Sequence, residues 1–549
     1  MVTRSNNSTV FNQSPPFADI NLFTNDRLLL EAVSANGATS EVEALSAFGA
    51  RWGSARMLEQ ARIANENPPK LRAFDANGNR CDVVEYHPAY HFFMAESIRE
   101  GLQASTWLSD GTAAAAPAEA VRAARYVMVA QVENGHMCPI TMTRAAVPAL
   151  AAEPDLFAQV MPKIASRTYD PTFRPWWEKA GITVGMGMTE KQGGTDVRAN
   201  TTTAVPADEG YRLDGHKWFM SAPMCDAFLV LAQAPGGLTC FWLPRFTPDG
   251  QVNGLHFQRL KDKLGNRSNA STEVELSDAY AIRIGDEGRG IQAIMRMVQL
   301  TRLDCAISSA GMMRMALAQA VHHCRYRTAF QKRLIDQPLM RTVLADMALE
   351  LEGALAAVMR LCSAFDRSAL SELDAVRTRL LTPAVKYAVC KTAPAFAYEA
   401  MECLGGNGYV EEGMLARLYR EAPVNAIWEG SGNVVCLDVL RVFARNKDGA
   451  RAVINDVARE AADCSGAAEA ASAVVRILSD PTGESDLRLA VELLARLAAT
   501  AALNQSAPGG IADLYARSRL GGQRGATFGA AQLANNEVTT LLDRTLAPT

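Results

Sequence analysis

Gly187-Met188-Thr189-Glu190-Lys191-Gln192-Gly193-Gly194-Thr195-Asp196 marks the point where the pattern of the chain changes. Two adjacent glycines let a backbone approach a ligand closely, and their freed N–H groups suit phosphate or carbonyl oxygens. Thr189 and Thr195 add hydroxyls. The stretch is neither GxGxxG after a parallel strand nor a loop ending in GK[ST], so it is neither a dinucleotide fingerprint nor a phosphate loop of the Walker type. Taken alone, such a stretch is more often a turn than a site.

On its N-terminal side the apolar residues recur at three- and four-residue steps. Residues 41–65, 90–108, 113–135 and 142–162 read as helices, the first stopped by Asn67-Pro68-Pro69, so residues 1–180 are expected to be all-helical. On its C-terminal side the period shortens. Tyr211-Arg212-Leu213 and His216-Lys217-Trp218-Phe219 flank Asp214-Gly215, a two-residue hairpin signal. Residues 227–233 and 238–243 form apolar runs about Gly236-Gly237, and 271–276 alternate as a half-buried strand should. Residues 181–285 are therefore expected to form a small antiparallel β domain. Long helices follow over 292–320, 340–363 and 370–404, giving a helical bundle over 286–443. Residues 444–549 read as an extra helical domain broken at Asp480-Pro481-Thr482-Gly483 and Gly509-Gly510. The fold class is α+β, in the order helical, β, helical, helical.

The 549 residues are too many for one core. Lysines and arginines number 55 against 59 aspartates and glutamates, a net charge of −4, which excludes a globally basic nucleic-acid coat but not a local patch. No stretch reaches the ~18 unbroken apolar residues of a membrane span. The polar N-terminus lacks an apolar signal core, so a cytoplasmic location is expected. The eleven cysteines stand singly with no CxxC pair and are expected to be free, mostly buried thiols. His87 and His91 have ligand spacing, but Pro88 interrupts the helix and no metal site is expected.

A second glycine-rich region runs from Glu402 to Tyr409 and continues through Glu412, Arg417, Arg420 and Glu421 to Ile427-Trp428-Glu429-Gly430-Ser431-Gly432-Asn433. Clustered glycines between helices commonly mean close packing. Here a carboxylate, Glu429, lies between an indole and a glycine. An aromatic neighbour would desolvate it and raise its pKa, which suits a general base. The alternative is an ordinary acid near the start of the next helix.

Together, Gly187–Ala199 and Glu402–Glu421 resemble the two signature patterns of the acyl-CoA dehydrogenase family, and the order of elements resembles that family's fold. Val10-Phe11-Asn12-Gln13, residues 138–143, 185–194, 261–270 and 427–433 resemble the AidB-like branch, bacterial flavoproteins of the adaptive response to DNA alkylation, which carry an extra helical domain. The resemblance implies FAD between the β domain and the helical bundle. Met188, Thr189, Gly194 and Thr195 match residues near the flavin ring and the ribityl–pyrophosphate. Trp218, Met220, Ser221 and Ala222 match the strand lying against the isoalloxazine. Ile427, Trp428, Gly430, Ser431, Gly432 and Asn433 match the loop touching other parts of the cofactor. Arg327 and Phe330, in a segment with Gln331 where the family has Gly, together with Gln337, match residues that reach the FAD of a neighbouring subunit, which implies a homotetramer.

Glu429 matches the family's base, which removes the α-proton of an acyl-CoA while the β-hydride passes to the flavin. Trp428 and Arg441 match residues that crowd the acyl pocket, Arg441 as a buried cation, so weak activity on short or branched acyl-CoA is expected. Each also has a plain reading, Trp428 as core packing and Arg441 as a salt-bridged helix residue. Members of this branch bind duplex DNA through the extra domain. Residues 441–549 hold twelve basic and twelve acidic side chains, yet Arg517, Arg519 and Arg524 gather near Tyr515 and, with Arg441, are the candidate phosphate contacts. A solvated helix face is the alternative reading of that arginine group. A catabolic acyl-CoA dehydrogenase with no DNA role is the alternative for the whole chain.

Overall fold

The computed structural model describes residues 10–108, 117–480, 483–522 and 525–546. The N-terminal lobe packs α1 (Arg27–Ala35), α2 (Val42–Trp52), α3 (Ala55–Glu66), α4 (Pro88–Arg99), α5 (Ala118–Ala130), α6 (Met137–Leu150) and α7 (Pro154–Ile164). The helix expected over 41–65 is two helices. Gly53 separates them because the chain passes so close that a Cβ there would lie 1.8 Å from the Ile20 carbonyl oxygen. Ser54 then starts α3, its hydroxyl accepting from the Met57 N–H.

The lobe is not all-helical. β1 (Lys70–Phe74) and β2 (Arg80–Glu85) form an antiparallel hairpin. Its turn carries Asn77-Gly78, with Gly78 at φ 84°, a local turn signal that the sequence reading passed over. Buried Asp82 accepts from the Phe257 N–H at 2.9 Å, tying the hairpin to the β domain.

That domain contains β3 (Val184–Gly187), β4 (Thr203–Ala207), β5 (Gly210–Ser221), β6 (Ala227–Ala234), β7 (Gly237–Pro244), β8 (Leu255–Leu260) and β9 (Ser271–Ile284). The strand order is β3-β6-β4-β5-β9-β7, with β8 on β9 and β7 also paired to β6, so the sheet closes on itself. It is mixed rather than antiparallel, because β3 and β4 both run parallel to β6. Along β6, Phe228 and Val230 fill the inside of the closed sheet, while Leu229 and Leu231 face the helices. A strand covered on both faces reads as an unbroken apolar run.

Asp214-Gly215 is not a hairpin turn. β5 runs straight through it, and the register against β9 shifts there as a bulge. Gly215, at φ 149°, lets Thr202 come within 2.6 Å of where a Cβ would be. The real turn is at 208–209, between β4 and β5.

Helix returns with α8 (Gly290–Tyr326). A short hairpin, β10 (Thr328–Ala329) with β11 (Lys332–Arg333), separates it from α9 (Pro338–Arg367), α10 (Glu372–Leu404), α11 (Gly406–Tyr409), α12 (Met414–Asn425) and α13 (Gly432–Arg445). The tail adds α14 (Lys447–Glu460), α15 (Ala467–Ser479), α16 (Leu487–Ser506), α17 (Ile511–Arg519) and α18 (Asn535–Thr545). One apolar core joins the N-terminal lobe, the bundle and the tail. Arginines bolt the tail down. Arg544 grips Glu352 at 2.7 Å and Glu31 at 2.7 Å, and Arg519 grips Asp346 at 2.6 Å and Glu350 at 2.7 Å. All eleven cysteines are free, nine of them buried. No helix of the described residues is long and apolar enough to cross a membrane.

Candidate active site

The turn between α12 and α13 is where the bundle's polar groups converge. Glu429 is in the left-handed region at φ 58° and Gly430 follows at φ 100°. A non-glycine residue held there costs of order 1–3 kcal/mol, so the surroundings must fix it. They do so through three successive carbonyls. Lys386 Nζ of α10 donates to the Trp428 carbonyl at 2.8 Å and to the Gly430 carbonyl at 2.6 Å. Arg302 Nε of α8 donates to the Glu429 carbonyl at 2.8 Å, while its other arm pairs with Asp438 of α13 at 2.5 Å. The Trp428 indole donates to Asn425 Oδ1 at 3.0 Å, and Asn425 in turn donates to Ser309.

This leaves the Glu429 side chain aimed back at α8, where Thr301 Oγ1 donates to its carboxylate at 2.7 Å. Burial pushes the Glu429 carboxyl above the usual carboxylate range, against the opposing pull of Thr301, Lys386 and Arg302. Cys138 and Cys305 feel its charge, but burial pushes Cys138 up to about 12 and raises Cys305 as well, so neither is a ready thiolate. A carboxylate with a raised pKa and one hydroxyl donor can take a proton from a weak carbon acid.

The β domain supplies the facing wall. Met188 and Thr189 follow β3 half-buried, and Gly194 and Thr195 are exposed on the loop beyond. Glu190, between them, is fully buried against Lys217 at 2.8 Å and holds the loop's base rather than a ligand. Met220 and Ala222 point into the domain core, so they can offer only backbone to a ligand. Ser221 faces outward with Phe219, which the sequence reading passed over, and Trp218 is half-buried beside them beneath the Lys261 ammonium at 3.4 Å.

The other residues singled out in the sequence fall in three groups. Ile427, Ser431 and Asn433 are exposed, Trp428 and Gly432 are half-buried, and Asn433 already accepts from Arg488 of α16 at 2.8 Å. Arg327, Phe330 and Gln337 lie beyond the far end of α8. Twenty-five helical residues from Arg302 to Arg327 span about 38 Å, so they cannot serve the same site within one chain. Arg441 is exposed on α13, not the buried cation expected at the acyl pocket. Glu402 is exposed, whereas Arg417 and Glu421 belong to structure. Arg417 bonds the Val132 carbonyl at 2.9 Å, and Glu421 accepts from Asn266.

The arginine group of the tail also differs from expectation. Arg519 is an interior residue, its side chain 1% exposed between Asp346 and Glu350, because α17 packs on α9 rather than presenting a face to solvent. Arg517 pairs with Glu537 at 2.8 Å, Tyr515 is buried against Arg496, and Arg524 lies outside the described residues.

Sequence reasoning missed Thr301, Arg302 and Lys386. The available signal was a charged or hydroxyl residue inside otherwise apolar helical runs. Elsewhere, Ser97, His136 and Glu133 form a string at 2.8 and 2.5 Å that resembles a nucleophilic triad. All three are buried, and Glu133 is also bound by Ser268, so the string locks the lobe to the β domain. No cluster of metal-ligating side chains occurs among the described residues.

The residues present fit a flavin dinucleotide. Ser431 begins α13 without a side-chain bond to its first turn, and that turn holds no acid, which leaves helix N–H groups for an anion. The Gln299 amide, one turn from Arg302, is buried with no partner at either end. Gly193 opens onto free space at φ 134°.

A half-buried base in a left-handed turn, set between a closed β domain and a long helical bundle, is the arrangement of a flavin-dependent acyl-thioester dehydrogenase. Family models agree in their parts: the adaptive response protein AidB N-terminal domain over residues 12–171, the acyl-CoA dehydrogenase middle domain over 185–279 and its C-terminal domain over 288–444. The chain is 51% identical over 437 residues to the putative acyl-CoA dehydrogenase AidB of Escherichia coli, covering 79% of this chain and 80% of that protein. It therefore belongs to the acyl-CoA dehydrogenase family of FAD-dependent oxidoreductases, with the AidB N-terminal domain. Among solved structures, Caenorhabditis elegans ACDH-11 in complex with C11-CoA superposes with a TM-score of 0.83 at 26% identity, covering 98% of this chain and 93% of that one. The apo form of Bd2924 gives 0.83 at 28%, covering 90% and 100%.

Proposed function

We propose that this chain oxidises an acyl-CoA thioester, with Glu429 as the base. The observation that carries the reading is the half-buried Glu429 carboxylate, held toward Thr301 by a turn with three tethered carbonyls. In the forward step the carboxylate takes the α-proton, and the electron pair of the broken Cα–H bond forms the Cα=Cβ bond. FAD, when bound, accepts the β-hydride with its electron pair. Trp428 stands beside the base and favours short or branched acyl chains. The exposure of Arg441 removes half of that argument, and the C11-CoA held by ACDH-11 makes a longer chain the competing substrate. Anaerobic stopped-flow bleaching of the flavin across isovaleryl-CoA, butyryl-CoA and undecanoyl-CoA decides between them. Rapid bleaching by undecanoyl-CoA alone would sink the crowded-pocket reading. No bleaching by any of them would sink the dehydrogenase reading.

A homotetramer belongs to the same proposal. Phe330 is 94% exposed and Leu339 85%, and Phe330 and Gln331 are both held at positive φ, so the hairpin presents an aromatic ring to solvent at a cost in backbone strain. Asn12 fixes that hairpin through paired bonds to Thr328 at 2.7 and 2.8 Å. A second copy would cover this apolar surface and bring Arg327 to its own site.

The likeness to AidB also supports a role in the response to DNA alkylation, with nonspecific duplex binding, in the cytoplasm. Arg441, Arg445, Lys447 and Arg451 are exposed along α13 and α14 and form the surface we favour for phosphate contact. Such binding weakens steeply with salt. A duplex affinity unchanged between low and moderate salt would remove the DNA role and leave a catabolic dehydrogenase.

A further inference from the structure

Lys386 is a buried lysine, 1% exposed, with no ion-pair partner among the described residues. Its hydrogen bonds go to the two carbonyls that flank Glu429. Buried charges are normally paired, because removing an ammonium from water costs several kcal/mol. Arg302, the other cation at this turn, has Asp438 as its carboxylate. Among the described residues, the acid whose charge meets Lys386 is Glu429, the residue between its two carbonyl partners. The charged and titratable groups around that carboxyl are Arg302 and Cys305 of α8, Lys386 of α10, Cys138 of α6 and, behind Arg302, Asp438 of α13 with Arg379 of α10.

We propose that Lys386 is the positioning residue of this site: its ammonium clamps the carbonyls on both sides of Glu429, holds the turn left-handed, and is the counter-charge of the base. The proposal rests on reading Glu429 as that base. The clamp offsets the strain of a glutamate at positive φ, which no side-chain preference of its own would hold there. The charge offsets desolvation, which otherwise drives a buried carboxyl toward its protonated, inactive form. As substrate closes the site and water leaves, the attraction between Lys386 and Glu429 strengthens, because the local dielectric falls.

The test uses the FAD-loaded enzyme. Infrared difference spectra titrate the Glu429 carboxyl, its band identified by loss in Glu429→Gln. Lys386→Met is expected to move that titration to higher pH by about one unit, a tenfold change in the ionised fraction. It should also slow flavin bleaching by isovaleryl-CoA or undecanoyl-CoA by ~10²-fold, the scale of a misplaced reacting group. Lys386→Arg, which keeps the charge, should titrate with the wild type and recover most of the rate. A Lys386→Met titration that overlays the wild type, or a Lys386→Arg titration shifted as far as Lys386→Met, overturns the proposal. If Lys386→Met does not bind FAD, Lys386→Gln serves as the neutral variant. If neither folds, the Lys386→Arg titration decides: an overlay on the wild type supports the proposal, and a shift of about one unit to higher pH overturns it. Glu429→Gln bleaching at the wild-type rate would instead sink the base reading, while the titration would still report on Lys386.

Discussion

At the scale of single residues, Glu429 was visible in the sequence and its supports were not. Its neighbours Trp428 and Gly430 give a local signal. Thr301 and Lys386 come from helices 128 and 43 residues away in the chain and look like polar interruptions of apolar runs. Glu429 also has a measurable pH signature. Its folded pKa lies above the ordinary carboxylate value, so the folded state holds this proton more tightly than the unfolded state. Its contribution to stability is therefore lost as pH rises from the ordinary carboxylate range through the folded pKa. Glu429→Gln should remove that loss, so the Tm of Glu429→Gln minus that of wild type should grow from about pH 4 to about pH 8. A constant difference across that range would contradict the raised pKa. The same variant should lower the rate of flavin bleaching by acyl-CoA by 10²-fold or more, as expected for loss of a general base.

At the scale of elements, the glycine-rich stretch that divides the chain proves to be held by Glu190, not by its glycines. Burial opposes ionisation of that carboxyl, but Lys217 and the Thr201 and Thr202 bonds outweigh it and hold its pKa down to about 2. The stability this gives is full above the ordinary carboxylate range and is lost as pH falls toward 2. Lys217→Met would leave a buried carboxylate facing an apolar side chain and should cost about 3–5 kcal/mol, read as a lowered urea midpoint. The tail allows a sharper comparison. Arg519→Ala strands Asp346 in the core, while Glu350 keeps Arg496, and should cost about 3 kcal/mol, whereas Arg517→Ala breaks a half-exposed pair and should cost about 1 kcal/mol or less. Duplex binding by a still-folded Arg519→Ala should match the wild type, and a specific loss would restore this arginine as a phosphate contact. From spacing alone, a basic cluster on a helix looks the same whether it meets solvent or a neighbouring helix's carboxylates. Gly215 misled in a related way, since a glycine that opens a bulge and one that opens a turn have the same letter.

At the scale of the whole molecule, the prediction concerns assembly. Phe330→Asp places a charge on an aromatic ring that is 94% exposed and should shift sedimentation to a smaller species. An unchanged sedimentation coefficient would remove the hairpin from the interface. The order of helical lobe, β domain and helical bundle was legible in the sequence because hydrophobic period is a local property that switches with secondary structure. The two glycine-rich regions were legible because close backbone approach admits few residue types. The tertiary structure alone decided which charges face water. It put Arg519 inside and Arg441 outside, closed the β sheet through β6 and β7, and set Lys386 against the turn of Glu429. Burial and pairing are made by residues far apart in the chain, and a pKa, a salt bridge or a free surface is a property of those meetings rather than of any stretch of sequence.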